Sequence, residues 1–479
     1  MNLFMHSAYK HVVGVALLLA LMLSSCTRQP APIPLPQQSG ELVVAMRLSP
    51  TTVYRDSSGE LAGPDYELVS AFAAWQGFRL RCVFFERDRQ VLEALDHGQA
   101  HMAASGLTVT EAARTVARFG TPYQQRRQVV AVRRDDPRPA DRLSELATRR
   151  GWIAADAPQL RQLQANGEQR DGRLVVADAS GAVDALQQVN DGERDFAVVD
   201  SLLLARMRHW LINLEQAFVL PGERPVAWAF PRYGDQALFA AAEEFLRRAR
   251  TDGTLLSVYD RHFGHLQRLE SSDIDQMLEF RLSRLPQYRE LFRQAGQISG
   301  IDWHWLAALA YQESKWDPQA TSYTNVRGIM MLTESTAEQM GVNNRLDPRQ
   351  SIFAGARYLA GIVESLPASI QLEDRLSMAL AGYNLGEGHL RAGRRLAAAM
   401  HLDPDTWAGV KRALPELARP DIAARLVSGP ARGGEAVILV ENVRSYYEVL
   451  SAAESSPLTR RSRFEFYRTP PVAADPIIW

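Results

Sequence analysis

Short β-branched runs recur through the first half of the chain: "ELVVAMR" (41–47), "RLRCVFF" (79–85), "RQVVAVR" (127–133), "GWIAA" (151–155), "RLVVA" (173–177) and "DFAVV" (195–199). Amphipathic stretches such as "DYELVSAFAAWQG" (65–77) and "AVDALQQVNDGE" (182–193) lie between several of them. Strands alternating with helices predict parallel α/β sheets, which bind ligands at their carboxyl edges. The pattern ends near "LLSVYDRHFGH" (255–265), and beyond about residue 270 helical periodicity takes over. "LPQYRELFRQAGQISG" (285–300) predicts a helix closed by Gly300, and Asp302 is placed to N-cap the next one. Helical patterns continue through "SIFAGARYLAGIVESL", "DRLSMALAGYN" and "ENVRSYYEVLSAAE", with no internal repeat.

The two ends read differently. Lys10 and His11 precede the apolar run "VVGVALLLALML" (12–23), too short to span a bilayer comfortably. "LSSC" (23–26) follows it and resembles a lipobox, which implies removal of residues 1–25 and diacylglycerol on the Cys26 thiol. Thr27, where an Asp would retain the protein at the inner membrane, implies the outer membrane, with the anchored chain on its periplasmic side. Several acyl chains would hold it there as a peripheral, lipid-anchored protein. Residues 26–39, rich in proline, predict an extended tether, and 456–479, rich in Pro and Arg, an irregular tail.

At 479 residues the chain is too long for one ordinary core. The expected division is an α/β domain over 40–267 and a mainly α domain over 268–455. A formal net charge of −1 argues against a nucleic-acid binder. With Cys26 lipidated, Cys82 has no partner for an internal disulfide. The ten histidines are scattered, with no HExxH or Cys/His cluster, so no metal or other cofactor is expected.

Within the helical half, "LAALAYQESKWDPQATS" (306–322) ends an apolar helix with one carboxylate, Glu313. The negative end of the helix dipole disfavours charge there, and Leu306, Leu309, Trp303, Trp305 and Trp316 would withdraw water from it. Both effects would keep the proton on near neutral pH, as a general acid requires. A solvated helix-end glutamate beside Lys315 satisfies the same local residues.

The motifs that follow distinguish these readings. "QESKWDPQATS", "RGIMMLTESTAEQMGV", "DPRQSIFAGARYLAGIV" and "ALAGYNLGEGHL", in that order, resemble the lysozyme-like domain of soluble-type lytic transglycosylases over about 180 residues. The resemblance implies that Glu313 is catalytic and Ser314 completes its Glu-Ser pair. The family's Gly-Leu-Met-Gln signature corresponds to Gly328, Ile329, Met330 and Met331, and its Ala-Tyr-Asn signature to Gly382, Tyr383 and Asn384. Ser322, Met331, Thr333, Tyr383, Asn384 and a late tyrosine, Tyr446 or Tyr447, are the implied substrate-binding residues. Met331 departs from the family's glutamine and points to one branch of it. Glycosidases ordinarily use two carboxylates, but the cluster offers no second: Asp317 belongs to a turn and Glu334 to a helix start. The implied reaction is non-hydrolytic cleavage of peptidoglycan glycan strands, with Glu313 acting first as acid and then as base to give 1,6-anhydromuramoyl ends.

Residues 40–267 resemble the amino-acid-binding family of periplasmic solute-binding proteins, from "GELVVAMRLSPTTVYRDSSGELAGPDYELVSAFA" through "HMAASGLTVTEAARTVARFGTPY" to "DGERDFAVVDSLLL". The resemblance implies a two-lobed domain in which Tyr54 covers the ligand, Ser105 and Thr108 contact it, and Asp200 accepts its ammonium. The arginine that grips an α-carboxylate should fall at Ala113; Arg114 is one residue away, about 100° round a helix. A cell-wall peptide or muropeptide is therefore expected in place of a free amino acid, unless the domain is only a scaffold. Two alternatives to the lytic reading are a hydrolysing muramidase and a solute-binding receptor whose lysozyme-like domain only grips glycan.

Overall fold

A computed structural model describes residues 32–55, 60–157, 159–166, 173–266, 271–426, 429 and 431–453. Cys26, the processed segment, the tail from 456 and the junction at 267–268 lie outside them.

The α/β domain has two lobes, each built on a five-stranded sheet. In the first lobe the strand order is Arg79–Phe84, Glu41–Met46, Met102–Ala103, Ala229–Pro231, Ala117–Phe119. In the second it is Leu214–Val226, Gln124–Arg133, Phe196–Asp200, Gly151–Ala154, Leu174–Ala177. The sheets are mixed where all-parallel ones were expected. Glu41–Met46 pairs in parallel with both neighbours, but Ala229–Pro231 runs antiparallel to its own. The reason lies at the crossing between lobes. The chain enters the second lobe along Gln124–Arg133 and returns along Leu214–Val226, and the two strands pair antiparallel from Gln124↔Val226 to Leu214↔Arg133. The returning strand carries Pro221, Gly222 and Pro225 and shifts register between Val219 and Glu223, so its alternation is invisible in the sequence.

The last part of the expected tether is docked on this domain. Ile33 N–H donates to Gly98 O at 3.0 Å, the His101 ring bonds Pro34 O at 2.8 Å, and Pro36–Ser39 forms one helical turn.

The helical domain packs around Trp303–Ser314, whose residues Leu306 to Tyr311 are all buried. A helix apolar on every side must be enclosed on every side. Gly433–Ala453, Pro348–Ser365, Leu372–Leu385 and Arg289–Ser299 join it in one core. Among the described residues no helix is long and apolar enough to cross a membrane.

The two domains meet along a buried, charged seam. Arg261 lies between Glu67 and Asp374, and Lys411 pairs with Asp260. Arg444 donates to the carbonyls of Asp260 (2.9 Å) and Arg261 (2.7 Å). Glu448 is bonded to His209 Nδ1 at 2.8 Å, with His265 Nε2 at 2.8 Å and Arg206 at 3.7 Å beside its other oxygen. Burial alone would raise the Glu448 carboxyl, but His265, Arg206 and His209 hold it well below the usual range.

Candidate active site

Asp302 caps the helix as expected, accepting His304 N–H at 3.0 Å, and Glu313 stands in the last turn. The helix ends through two successive left-handed residues, Lys315 (φ 54°) and Trp316 (φ 59°). Neither is a glycine, so the turn is strained. The Trp316 indole holds it by donating to Ala307 O at 2.8 Å.

Glu313 is partly buried, and its carboxyl has no hydrogen bond or ion pair with another described residue. Burial pushes its pKa up to about 7, and no neighbouring charge contributes to the shift. The proton-retaining carboxylate expected from the helix end is present. The solvated pair with Lys315 is not: that ammonium turns away, 4.1 Å from the Tyr311 ring centroid and 3.5 Å from the Tyr446 hydroxyl. Asp317 accepts Gln319 N–H at 2.9 Å within its turn, and Glu334 occupies a first helical turn.

The Gly328–Met331 turn is fastened against this helix. The Ser314 hydroxyl donates to Ile329 O at 2.8 Å, and the Tyr383 hydroxyl to Met330 O at 2.7 Å. Met330 N–H donates to Ser351 Oγ at 3.2 Å. Gly328 sits at φ 85°, where a Cβ would overlap the Arg345 carbonyl, so only glycine fits. Met330 is buried over Gly355, whose Cβ would come within 2.7 Å of its Cε, whereas Met331 (φ 48°) is partly exposed. Burial raises the Tyr383 phenol well above its ordinary value, and the nearby Glu313 adds to it. Tyr383 thus stands beside the carboxylate, with its hydroxyl engaged by the turn.

The other implied cleft residues are placed less directly. The Ser322 hydroxyl bonds Thr324 Oγ1 (2.9 Å) and accepts Val326 N–H (3.1 Å), shaping its own loop. Thr333 caps the helix Glu334–Gln339 by accepting Thr336 N–H at 3.1 Å. Asn384 is exposed. Tyr446 is 2% exposed, edge-on to Tyr311 at 4.8 Å, and burial takes its phenol up to about 12. Tyr447 stacks instead on Trp305, at the opposite end of the helix. Sequence reasoning missed Ser351 and Gly355, which hold the turn from the helix Pro348–Ser365. Their small side chains in "RQSIFAGARYL" were the available signal.

A cavity of about 610 Å³ lies between the two lobes of the α/β domain, with Thr108, Ala113, Arg126 and Asp200 in its wall. Three expected ligand residues are elsewhere. The Tyr54 hydroxyl bonds His262 Nδ1 at 3.2 Å and accepts Arg206 at 3.4 Å, at the domain seam. Ser105 is 1% exposed and accepts Arg47 N–H at 2.9 Å. Arg114, in the last turn of Glu111–Val116, is not among the lining residues, because one step round the helix gives the cavity to Ala113.

Residues 290–402 match the family model "Transglycosylase SLT domain", and residues 42–265 match "Bacterial extracellular solute-binding proteins, family 3". The chain is 38% identical over 443 residues to membrane-bound lytic murein transglycosylase F of Methylobacillus flagellatus, covering 92% of this chain and 94% of that one. The chain belongs to the membrane-bound lytic murein transglycosylase F family. The member from Thiobacillus denitrificans is 39% identical over 465 residues, covering 95% and 97% of the two chains. Among solved structures, a mutant of ArgBP from T. maritima is 21% identical, with a TM-score of 0.43, and covers 48% of this chain and 97% of that one. The family combination of solute-binding-like and lytic domains in one chain thus accounts for both halves, and this family member is a peptidoglycan lytic transglycosylase.

Proposed function

We propose that Glu313 performs both proton transfers when this transglycosylase cleaves the β-1,4 bond between N-acetylmuramic acid and N-acetylglucosamine. Its carboxyl proton goes to the glycosidic oxygen as the C1–O bond breaks, and the 2-acetamido oxygen of the sugar bonds to C1 in its place. Glu313, now a carboxylate, then takes the proton of the C6 hydroxyl; that oxygen displaces the acetamido group from C1 and closes the 1,6-anhydro ring. The acid is regenerated and no water is consumed. The observation that carries this reading is a partly buried carboxyl, raised by burial to about 7, with no partner and no second carboxylate acting on it among the described residues. The Tyr383 hydroxyl, engaged by Met330 O, supports the turn. Asn384, Met331, Ser322 and Thr333 are the sugar-side residues of this reading, whereas the buried Tyr446 packs on Tyr311.

Mass analysis of digested peptidoglycan tests it. Wild type should yield anhydro ends, and Glu313→Gln none. Reducing ends heavier by one water would make the protein a hydrolase, and retained lysis by Glu313→Gln would remove the residue from the chemistry.

The α/β domain serves in this reading as a sensor of cell-wall peptide fragments that regulates the lytic domain. The interlobe cavity and the buried seam that joins the domains support it. Cys26 carries the lipid anchor that holds the chain at the periplasmic face of the outer membrane. Loss of labelled-lipid incorporation in Cys26→Ser is the expected outcome; undiminished labelling would exclude that site.

A further inference from the structure

Residues 32–39 lie on the first lobe as a strap, and the sheet fixes where. Ile33 packs against the core that holds Val43, Val91 and Leu95, and its N–H donates to Gly98 O. The His101 ring ties the strap to the first strand. Its Nδ1 accepts Val43 N–H at 2.9 Å, so Nε2 carries the proton that Pro34 O accepts at 2.8 Å. Gly98, at φ 65°, leaves room for Pro32, whose Cβ a side chain there would approach to 3.0 Å. Gly98 and His101 come just before Met102–Ala103, which runs parallel to Glu41–Met46, and the strap itself leads into Glu41. The strap therefore crosses the edge of the sheet at which its parallel strands begin.

Four large exposed side chains stand on that same edge. Leu35, 45% exposed, is in the strap, and Trp75 is in the last turn of Pro64–Gln76, the helix that returns the chain to Arg79–Phe84. Val116 precedes Ala117, and Tyr233, 91% exposed, follows Pro231, the register partner of Ala117. Arg232 lies over the Tyr233 ring and donates to Thr115 O at 2.8 Å. Of the acids here, Glu41 is held by Arg79 and Arg81, Asp235 caps a helix, and Asp96 is exposed. Amphipathic rings and aliphatic side chains beside arginines suit a boundary that is apolar on one side and wet on the other. The opposite edge carries both attachments of the lobe. The chain leaves it for the second lobe along Gln124–Arg133. Glu67, in the first turn of the helix whose last turn holds Trp75, meets Arg261 at the seam with the lytic domain.

We propose that the strapped edge of the first lobe rests on the phospholipid headgroups of the leaflet that holds the anchor, so that the second lobe and the lytic domain point away from the bilayer. This inference rests on the reading of Cys26 as the lipidated residue and adds an orientation to it. Chain length is the first argument. Six residue steps separate Cys26 from Pro32, a reach of at most about 20 Å when fully extended. With residues 26–39 free, the fourteen steps to Gly40 would allow about 50 Å. The strap takes up that slack and holds the lobe by the edge that carries Leu35, Trp75, Val116 and Tyr233. Their chemistry is the second argument, because burial at the headgroup boundary removes their apolar surface from water. The contact need not be strong by itself, since the anchor makes it intramolecular and raises its effective concentration.

The test uses the full, lipidated chain in vesicles of phosphatidylethanolamine and phosphatidylglycerol, with a nitroxide quencher on a fraction of the headgroups. A fluorophore is attached either at His97→Cys, beside the strap, or at Glu364→Cys, in the lytic domain; both positions are exposed. Burial pushes the Cys82 thiol up to about 12, so it does not compete for the label at neutral pH. The label at 97 should be quenched strongly and the label at 364 scarcely at all. Tyr233→Ser combined with Leu35→Ser should lower quenching at 97 by about threefold or more, as apolar contact with the leaflet is lost. A melting curve checks that this variant is folded. Quenching at 364 equal to or greater than that at 97, or undiminished quenching at 97 in the folded double variant, would overturn the proposed surface and leave the Cys26 anchor standing. Failure of the wild-type chain to stay on the vesicles would overturn the anchor and the orientation together.

Discussion

Glu313 and Glu448 stand on two helices packed against each other in one core, yet their carboxyls are driven in opposite directions. Glu313 has apolar surroundings and no partner, and burial takes it up to about 7. Glu448 has His209, His265 and Arg206 around it, and these outweigh burial and hold it well below the ordinary range. The difference is one of partners, because burial acts on both in the same sense. The acid assigned here to proton delivery is left alone, and the acid that joins two domains is surrounded by an arginine and two imidazoles.

Substitution should break the comparison most sharply in activity. Glu313→Gln is expected to lower the lytic rate by roughly a thousandfold or more, since the proposed reaction routes both protons through this carboxyl. Glu448→Gln should stay within about tenfold of wild type in the same turbidity assay, because it touches no reacting atom. Equal losses would mean that the two carboxyls do not have separate roles.

Stability should reverse the order. Glu448→Ala leaves Arg206, His209 and His265 facing a buried gap, at a cost of about 3–5 kcal/mol read from denaturant unfolding. Glu313→Gln removes a carboxyl that resists ionisation and should stabilise the fold at alkaline pH.

The pH dependences follow from the signs. Glu313 is raised in the folded protein above its ordinary 4.5. Between that value and about 7 the folded state therefore binds more protons than the unfolded one, and stability falls as pH rises through this window. The gain from Glu313→Gln should thus be absent near pH 4 and reach about 3 kcal/mol at most above pH 8. Activity limited by its protonated form should decline above about 7. Glu448 is depressed, so its contribution is present above its unfolded value of 4.5 and is lost as pH falls through the folded value. The stability difference between wild type and Glu448→Gln should shrink only in acid. A difference independent of pH would argue against the ion cluster at the seam.

The smallest effect concerns the turn beside Glu313. Tyr383→Phe loses one hydrogen bond to Met330 O, worth about 1 kcal/mol of stability. It should lower kcat more than it raises KM, because the ring remains and only the position of the turn relaxes. A change confined to KM would place the hydroxyl on the sugar instead.

Much of the catalytic half was legible because its chemistry is local in the chain. Asp302, the apolar run from Leu306 to Tyr311 and the helix end at Glu313 occupy consecutive turns of one helix, so periodicity and capping could locate them. The α/β domain was less legible. Its strands were visible as β-branched runs, but their pairing was not, since Leu214–Val226 hides its alternation behind Pro221, Gly222 and Pro225. Tyr54 illustrates the same limit: position along a strand could not tell the cavity from the seam, where His262 and Arg206 hold it.

The sequence by itself therefore determined the two kinds of domain, the helix that ends at Glu313, and the family its motif order resembles. Those features depend on residues within a few turns of one another. Only the tertiary structure decided which other charges are paired. Glu448 lies in an ordinary helical stretch, and its partner His209 is 239 residues away. Arg126 reads as one charge among several in "YQQRRQVVAVRR" until folding buries it beside Asp200, 3.7 Å away, with its Nη2 lacking a hydrogen-bond partner among the described residues. Whether a buried charge is neutralised, shifted or left for a ligand depends on what folding brings within a few ångströms of it, and no local pattern along the chain records that distance.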